Sequence, residues 1–322
     1  MSNAMKYATL PGVEKPVSRL VQGIIQVDRK DEAVGFRQLD DAVAAGINCV
    51  DTAYIYQSDP FLGKWMKERG NRDEIVVLAK CAHDNFRKRV RPYDIQSELE
   101  DILVRMQVDY VDMLVLHRDD PNYPVEPIVD VLNKVVNEGK VKAFGGSNWS
   151  AERLQQANDY AAQSGQIPFA LSSPNFSLAD PIRVPWGGCL TISGDQHEDE
   201  RAWYKANQMP IFSWSSMAGG FWSGRFNREE IESYTEGQAK LVRECYCSEA
   251  NFQRLDRVKE LAEQKGGTIA QIALAYTLHY PMNVHTIVGA QTPEEVAANV
   301  AALNTELTEQ EMLYLDLKAA SF

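Results

Sequence analysis

Short apolar runs alternate with stretches of helical spacing along almost the whole chain. Leu20-Val21-Gln22-Gly23-Ile24 reads as a first strand, and residues 31–45 carry apolar positions at Ala33, Phe36, Leu39, Ala42 and Val43, the spacing of one helix face. Gly46 then stops that helix. The pattern repeats: strand 47–50 and helix 61–69, strand 75–79 and helix 94–106, strand 110–116 and helix 125–137. It continues with strand 141–145 and a helix capped by Ser150, strand 169–172 and helix 198–207, then strand 211–214 followed by helices 249–265 and 268–280. Strand 284–288 and a helix opened by Pro293 complete the series, and Thr308 with Glu311 forms a capping box for one more helix.

Eight strands, each followed by helix, with no linker between them, predict an α/β chain of (β/α)8 TIM-barrel form. The turn signals Pro11-Gly12 and Pro16 ahead of the first strand suit an N-terminal hairpin cap, and the helices after residue 249 exceed what eight units need. A doubly wound open sheet is the competing form, but Gly23-Ile24-Ile25 is not the glycine-rich first turn that it usually carries. Two long loops, 179–197 and 217–248, follow strands and so fall on the face where barrels do chemistry. The boundaries read from the sequence are an expression-tag remnant over 1–4 and a single barrel domain over 5–322.

Composition narrows the function. The chain has 322 residues, 44% hydrophobic and 24% charged, and a net charge of −12, which speaks against a nucleic-acid or anionic-membrane partner. Five cysteines, too few and odd in number for a disulfide framework, fit reduced thiols. No signal-like segment or apolar run of about 18 residues occurs, so a cytoplasmic location is expected.

Candidate chemistry lies at the strand ends. Asp51 closes the second strand, Tyr56 follows it by five positions, Lys80 ends the third strand and His117 the fourth. Each alone has an ordinary explanation: a turn aspartate, a solvated lysine, a core histidine. A barrel brings neighbouring strand ends together, and as a set they form a proton-delivery device. A phenol with a pKa of about 10 is a poor acid, an ammonium beside it lowers that value, and a carboxylate holds the ammonium in place. A neutral imidazole can orient a carbonyl oxygen. Electrons must come from a cofactor.

The order Asp51-Thr52-Ala53-Tyr54-Ile55-Tyr56, then Lys80 in Leu78-Ala79-Lys80-Cys81, then His117 in Leu114-Val115-Leu116-His117-Arg118 resembles the aldo-keto reductases over residues 17–305. That resemblance implies NAD(P)H-dependent reduction of aldehydes or ketones, with Tyr56 as general acid, Lys80 and Asp51 tuning it and His117 orienting the substrate. It implies that Ser147 and Asn148, in Gly145-Gly146-Ser147-Asn148-Trp149, hold the nicotinamide carboxamide. It further implies that Gly23 and Ile24 border the cofactor and that Ser215 and Met217 follow the residue that stacks on the nicotinamide. Gly219 and Arg225 lie in the loop over the pyrophosphate, and Gly289, Ala290, Gln291, Glu295 and Asn299 lie at the adenine end.

The chain departs from the family pattern at several points. The expected Gln of the sixth strand end is replaced, with Ser173 or Asn175 in its neighbourhood, and Trp214 stands where a stacking tyrosine is usual. At the adenine end Gly289 and Glu295 replace cations, so NADPH is the cofactor that the resemblance favours and NADH is also possible. Tyr54, Phe86 and Trp149 are candidate walls of the substrate pocket. The short tail after the last helix, 319–322, is expected to leave that pocket open to small carbonyls.

Other readings are a metal-dependent hydrolase using Asp51, His117, His83 and Asp84, which lacks paired histidines at ligand spacing, and a Schiff-base aldolase on Lys80. A third is a nucleotide-binding regulatory subunit of the same fold with slow turnover. No metal site is expected, and the sequence leaves the oligomeric state open.

Overall fold

The structure, a computed structural model, describes residues 4–322. Most of the expected tag segment, residues 1–3, lies outside them. A hairpin of β1 (Tyr7–Leu10) and β2 (Val13–Ser18) precedes the barrel, turning through Pro11-Gly12. Eight parallel strands then close on themselves: β3 (Leu20–Gly23), β4 (Cys49–Asp51), β5 (Val76–Cys81), β6 (Val111–Leu116), β7 (Val141–Ser147), β8 (Leu171–Ser173), β9 (Ile211–Ser213) and β10 (Val284–Val288). Sequential strands are neighbours, and β10 returns to β3. The (β/α)8 barrel with its hairpin is as the pattern of apolar runs predicts.

Side chains alternate across this sheet. Val21, Cys49, Val76, Leu78, Met113, Val115 and Leu171 fill the barrel interior, and Leu10, Val13 and Val17 of the hairpin pack into the same cluster. The hairpin therefore plugs the N-terminal end, leaving the C-terminal mouth open.

The outward positions of the strands meet a ring of helices: α1 (Glu32–Ala44), α2 (Asp59–Arg69), α3 (Pro92–Met106), α4 (Glu126–Asn137), α5 (Ala151–Ser164) and α6 (Glu198–Asn207). After β9 come α7 (Gly237–Tyr246), α8 (Glu249–Lys265) and α9 (Ile269–His279), and after β10 α10 (Pro293–Leu303) and α11 (Glu309–Leu315). The strongest amphipathic signal, in α4, buries Ile128, Val129, Val131, Leu132 and Val135, each buried aliphatic side chain contributing roughly 1.5–3 kcal/mol.

Two differences from the sequence reading stand out. The loop 217–248 contains α7, whose buried residues are only Val242, Cys245 and Tyr246 in an otherwise polar stretch, too few to mark a helix by periodicity. The sixth strand starts later than expected, because Phe169 packs outside the barrel against Phe144 and Trp149. The tail is pinned to α8 and α11, with Arg257 donating to the Ala319 carbonyl and Phe322 against the Tyr314 ring.

One buried carboxylate is poorly served. Asp59 opens α2, is fully buried, and neither of its carboxylate oxygens has a hydrogen-bond partner among the described residues. Burial pushes its carboxyl up to about 7, opposed by Arg105 at 3.8 Å. An unfolded aspartate ionises at about 3.9. The folded state therefore binds more protons between about pH 4 and pH 7, and stability falls as pH rises through that window. Asp59→Asn is expected to stabilise the protein by roughly 2–3 kcal/mol at about pH 8 and by little near about pH 4, read from urea melts at both values.

Candidate active site

Parallel register sets the geometry of the mouth. Asp51 pairs with Leu78 and Lys80 with Val115, so the inward side chains of β4 and β5 converge one layer above the apolar filling. Lys80 Nζ donates to Asp51 Oδ1, and both residues are buried. Lys80 Nζ lies 5.5 Å from the centre of the Tyr56 ring, and Tyr56 meets the His117 ring edge-on at 5.8 Å. Four residues spread over 67 positions of the chain thus share one small volume.

The electrostatics differ from the simple expectation for Tyr56. Burial pushes its phenol up, the Asp51 carboxylate pushes the same way, and Arg118 opposes them. Lys80 is paired with Asp51, and burial together with that carboxylate leaves the phenol raised. Asp51 is itself raised, by burial first, against the pull of Lys80. His117 is held well below the usual imidazole range by burial, then by Lys80, Arg118 and His83. It is a neutral ring, and its Nδ1 has no partner among the described residues.

Strained backbone marks the same face. Gln57, Ala82, Asn148, Ser215 and Ala218 all adopt positive φ without being glycine, and all follow barrel strands at the open end. Ala82 is held so by Glu98 of α3, which accepts its N–H at 2.6 Å. Its neighbour His83 lies 4.7 Å from His117, ring edge to ring face.

The residues beyond β7, β8 and β9 form one hydrogen-bonded seam. Ser147 Oγ donates to the Ser173 carbonyl, and Asn148 Nδ2 donates to the His117 carbonyl and to Ser147 Oγ. Asn148 Oδ1 accepts the Leu190 N–H at 3.0 Å, which ties the loop 179–197 across the mouth. Ser173 Oγ donates to the Phe212 carbonyl, and Asn175 Nδ2 to that of Trp214. Trp214 is half-buried with its indole N–H unpartnered, and Trp186 of the loop lies 5.7 Å from it.

Further round, Gly219 and Gly220 take φ +65° and +103°, and Gly219 O accepts from Gln238. A Cβ on Gly220 would meet Arg225 Nη2 at 3.6 Å, so the arginine folds over bare backbone. Arg225 is exposed and has no carboxylate within ion-pair distance among the described residues. Met217 packs on the core and Ser215 turns the chain at φ +51°. Gly23 ends β3, where a Cβ would press on Ile287 at 3.1 Å, and the Ile24 side chain is buried in the core.

At the β10–α10 turn, a Cβ on Gly289 would meet Gln26 at 2.6 Å, and Ala290 is buried with its carbonyl accepting from Gln22. Glu295 Oε2 already accepts the Gln291 N–H at 2.8 Å. Asn299 is half-buried on the same helix.

Left-handed glycines at 219 and 220, the Trp214 indole and an exposed Arg225 are groups a dinucleotide can use, so the residues fit a nicotinamide cofactor. Asn148 Oδ1 has a second lone pair free for a carboxamide, and Ser173 is too short to replace a glutamine at full reach.

Three expected pocket residues stand elsewhere. Tyr54 turns outward, its hydroxyl donating to Asp101 while Arg105 of α3 lies 4.5 Å over its ring. Trp149 is buried behind β7, because Gly146 has no side chain and a Cβ there would lie 2.6 Å from the indole. Phe86 is fully exposed in a loop clamped to α3 by Arg87 and Arg89.

In their place the structure brings His83, Arg118, Trp186 and Cys189 to the mouth. Arg118 and His83 sit one and three positions beyond His117 and Lys80, and the sequence singled out His83 only as a metal-ligand candidate. No cluster of three metal-ligating side chains occurs among the described residues, and none of their helices is long and apolar enough to cross a membrane.

Known proteins resemble the chain over most of its length. The chain is 27% identical over 296 residues to a probable aryl-alcohol dehydrogenase of Saccharomyces cerevisiae, covering 87% of this chain and 86% of that protein. It is 27% identical to an NADP(+) aryl-alcohol dehydrogenase of Phanerodontia chrysosporium, over 95% of this chain and 83% of that one. A putative voltage-gated potassium channel subunit beta of Schizosaccharomyces pombe is 29% identical, over 82% and 77% respectively. Residues 19–320 match the model of the aldo/keto reductase family, and the chain belongs to that family.

Proposed function

We propose that this protein reduces aldehydes or ketones to alcohols with a nicotinamide cofactor, and that Tyr56 delivers the proton to the carbonyl oxygen. The observation that carries this is the convergence of Tyr56, His117 and the Lys80–Asp51 pair at the open mouth. The cofactor supplies hydride to the carbonyl carbon when bound. His117, kept neutral, hydrogen-bonds the carbonyl oxygen and turns it toward the phenol. Tyr56, its pKa raised, stays protonated through neutral pH and gives up its proton only as negative charge develops on that oxygen. Lys80, anchored by Asp51, stabilises the phenolate left behind.

Ser147 and Asn148 take the carboxamide in this reading, with Ser173 beside them, and Trp214 offers a π-face to the ring. Gly219 and Arg225, with Ser215 and Met217, border the pyrophosphate, and Gly23 and Ile24 flank it through their backbone. Gly289, Ala290, Gln291, Glu295 and Asn299 hold the adenosine.

Turnover of an aldehyde panel with NADPH and NADH tests the reaction. Cofactor binding without aldehyde-dependent oxidation would favour the regulatory-subunit reading instead, which the likeness to the channel subunit supports.

The two cofactors are expected to bind within about tenfold of one another. A name among the relatives speaks for NADP, but residues 289–299 hold no Lys or Arg, and Glu295 occupies a backbone donor that a 2′-phosphate would need. Titration by quenching of Trp214 fluorescence measures both, and Trp214→Ala should abolish the quench. A preference for NADPH of about a thousandfold would refute the expectation.

A further inference from the structure

A buried cation at the mouth has no counterion. Arg118 is 6% exposed. Its Nη1 donates to the His117 carbonyl at 3.0 Å, the one hydrogen bond its side chain makes among the described residues. A guanidinium has five N–H donors in a rigid fork, so most remain unspent. Nε and Nη2 are not sealed in the interior without partners, as buried orphan atoms elsewhere in the protein are. What exposure the residue keeps leaves them within reach of a ligand.

The carboxylates nearby are already committed. Asp51 is paired with Lys80, Asp119 with Arg153 at 3.1 Å, and Asp84 with Lys88 at 2.7 Å. Taking a charge out of water costs several kcal/mol unless a partner compensates it. The fold nevertheless keeps this one in place. The Trp149 indole N–H holds the Arg118 carbonyl, and Gly188 leans over its stem, where a Cβ would lie 3.8 Å from Cδ and Nε. The charge also reaches the catalytic groups, opposing the rise of the Tyr56 phenol and adding to the burial that lowers the His117 and His83 rings.

We infer that Arg118 is the anchor for a carboxylate on the substrate, so that this protein acts on oxo-acids whose acid group lies a few bonds from the reacting carbonyl. The inference rests on the proposed carbonyl reduction and adds its substrate class. His117 and Arg118 are consecutive residues, so a carbonyl oxygen on the imidazole and a carboxylate on the guanidinium belong to one short molecule. The fork favours a planar anion held by two parallel hydrogen bonds, and it meets its missing counterion only when substrate is present. Loop 179–197, tied down at Leu190, shields the pair from bulk water and strengthens the attraction. A neutral aldehyde of the same length would leave the guanidinium unpaired.

The test compares a series of oxo-acids, with the carboxylate at increasing distance from the carbonyl, against their methyl esters. Wild-type protein is expected to prefer its best acid over the matching ester by about a hundredfold in kcat/KM. Arg118→Gln should erase that ratio and Arg118→Lys keep part of it. Calorimetric titration of the unreactive dicarboxylate glutarate gives a readout free of turnover, with affinity lost in Arg118→Gln and partly kept in Arg118→Lys. Equal use of acids and esters by the wild type would overturn the inference, with no variant needed, while leaving carbonyl reduction standing. Persistence of the acid preference in Arg118→Gln would overturn it too. Arg118-dependent glutarate binding without any carbonyl turnover would uphold the anion site and reject the reductase reading. Absence of both would reject the two together.

Discussion

Tyr56→Phe is expected to lower kcat/KM for carbonyl reduction by about a thousandfold while cofactor affinity, measured by fluorescence quenching, stays within about twofold. The substitution removes one oxygen and leaves the ring edge that meets His117 at 5.8 Å. No other hydroxyl is placed to take over, because Tyr54 is turned to Asp101 and Ser147 donates to the Ser173 carbonyl. The pH profile offers a second check. Tyr56 is raised above the usual phenol range, so its acid form persists and reduction should stay flat from about pH 6 to about pH 9. Alcohol oxidation needs the phenolate and should rise with pH over that interval. Wild-type rates in Tyr56→Phe would remove the phenol from the mechanism.

Lys80→Met should strike stability and catalysis together. The ammonium is the partner of a carboxylate that is 5% exposed, and deleting one member of a buried pair costs about 3–5 kcal/mol. Asp51, already raised by burial and lowered only by Lys80, would then take up a proton at neutral pH. Its folded pKa, already above the unfolded one in the wild type, would rise further, so the fall of stability with rising pH would deepen and extend to higher pH. The double variant Lys80→Met/Asp51→Asn should regain most of the stability in urea melts and none of the activity. Recovery of activity would mean that the pair is structural alone.

Much of the barrel was legible because each strand is an apolar run bounded by turn residues, and each helix shows its spacing. Asp51, Lys80 and His117 were legible for a related reason. Polar residues ending apolar strands are conspicuous, and parallel register then gathers them. The pocket walls were not. Whether Trp149 faces the mouth or the helices turns on Gly146, one missing side chain beside it, and Tyr54 is claimed by Arg105 from 51 positions away. The raised phenol of Tyr56 was equally hidden. Which partner Lys80 points at is a matter of ångströms, and Asp51 wins. Arg118 carried no pattern at all, since only the absence of an acid in three dimensions distinguishes it from a surface arginine.

The link between Glu98 and Ala82 gives the mouth a handle on the outside of the molecule. Glu98 belongs to α3, a helix on the barrel's outer surface, yet one of its oxygens holds the backbone that presents His83, while the other takes Arg89. Arg89 and Arg87 in turn grip Asp94 at the start of the same helix. The first turns of α3 are thereby linked through Glu98 and Ala82 to the His83 ring, 4.7 Å from that of His117. The mouth and the outer helix layer are thus joined by one continuous chain of charged contacts.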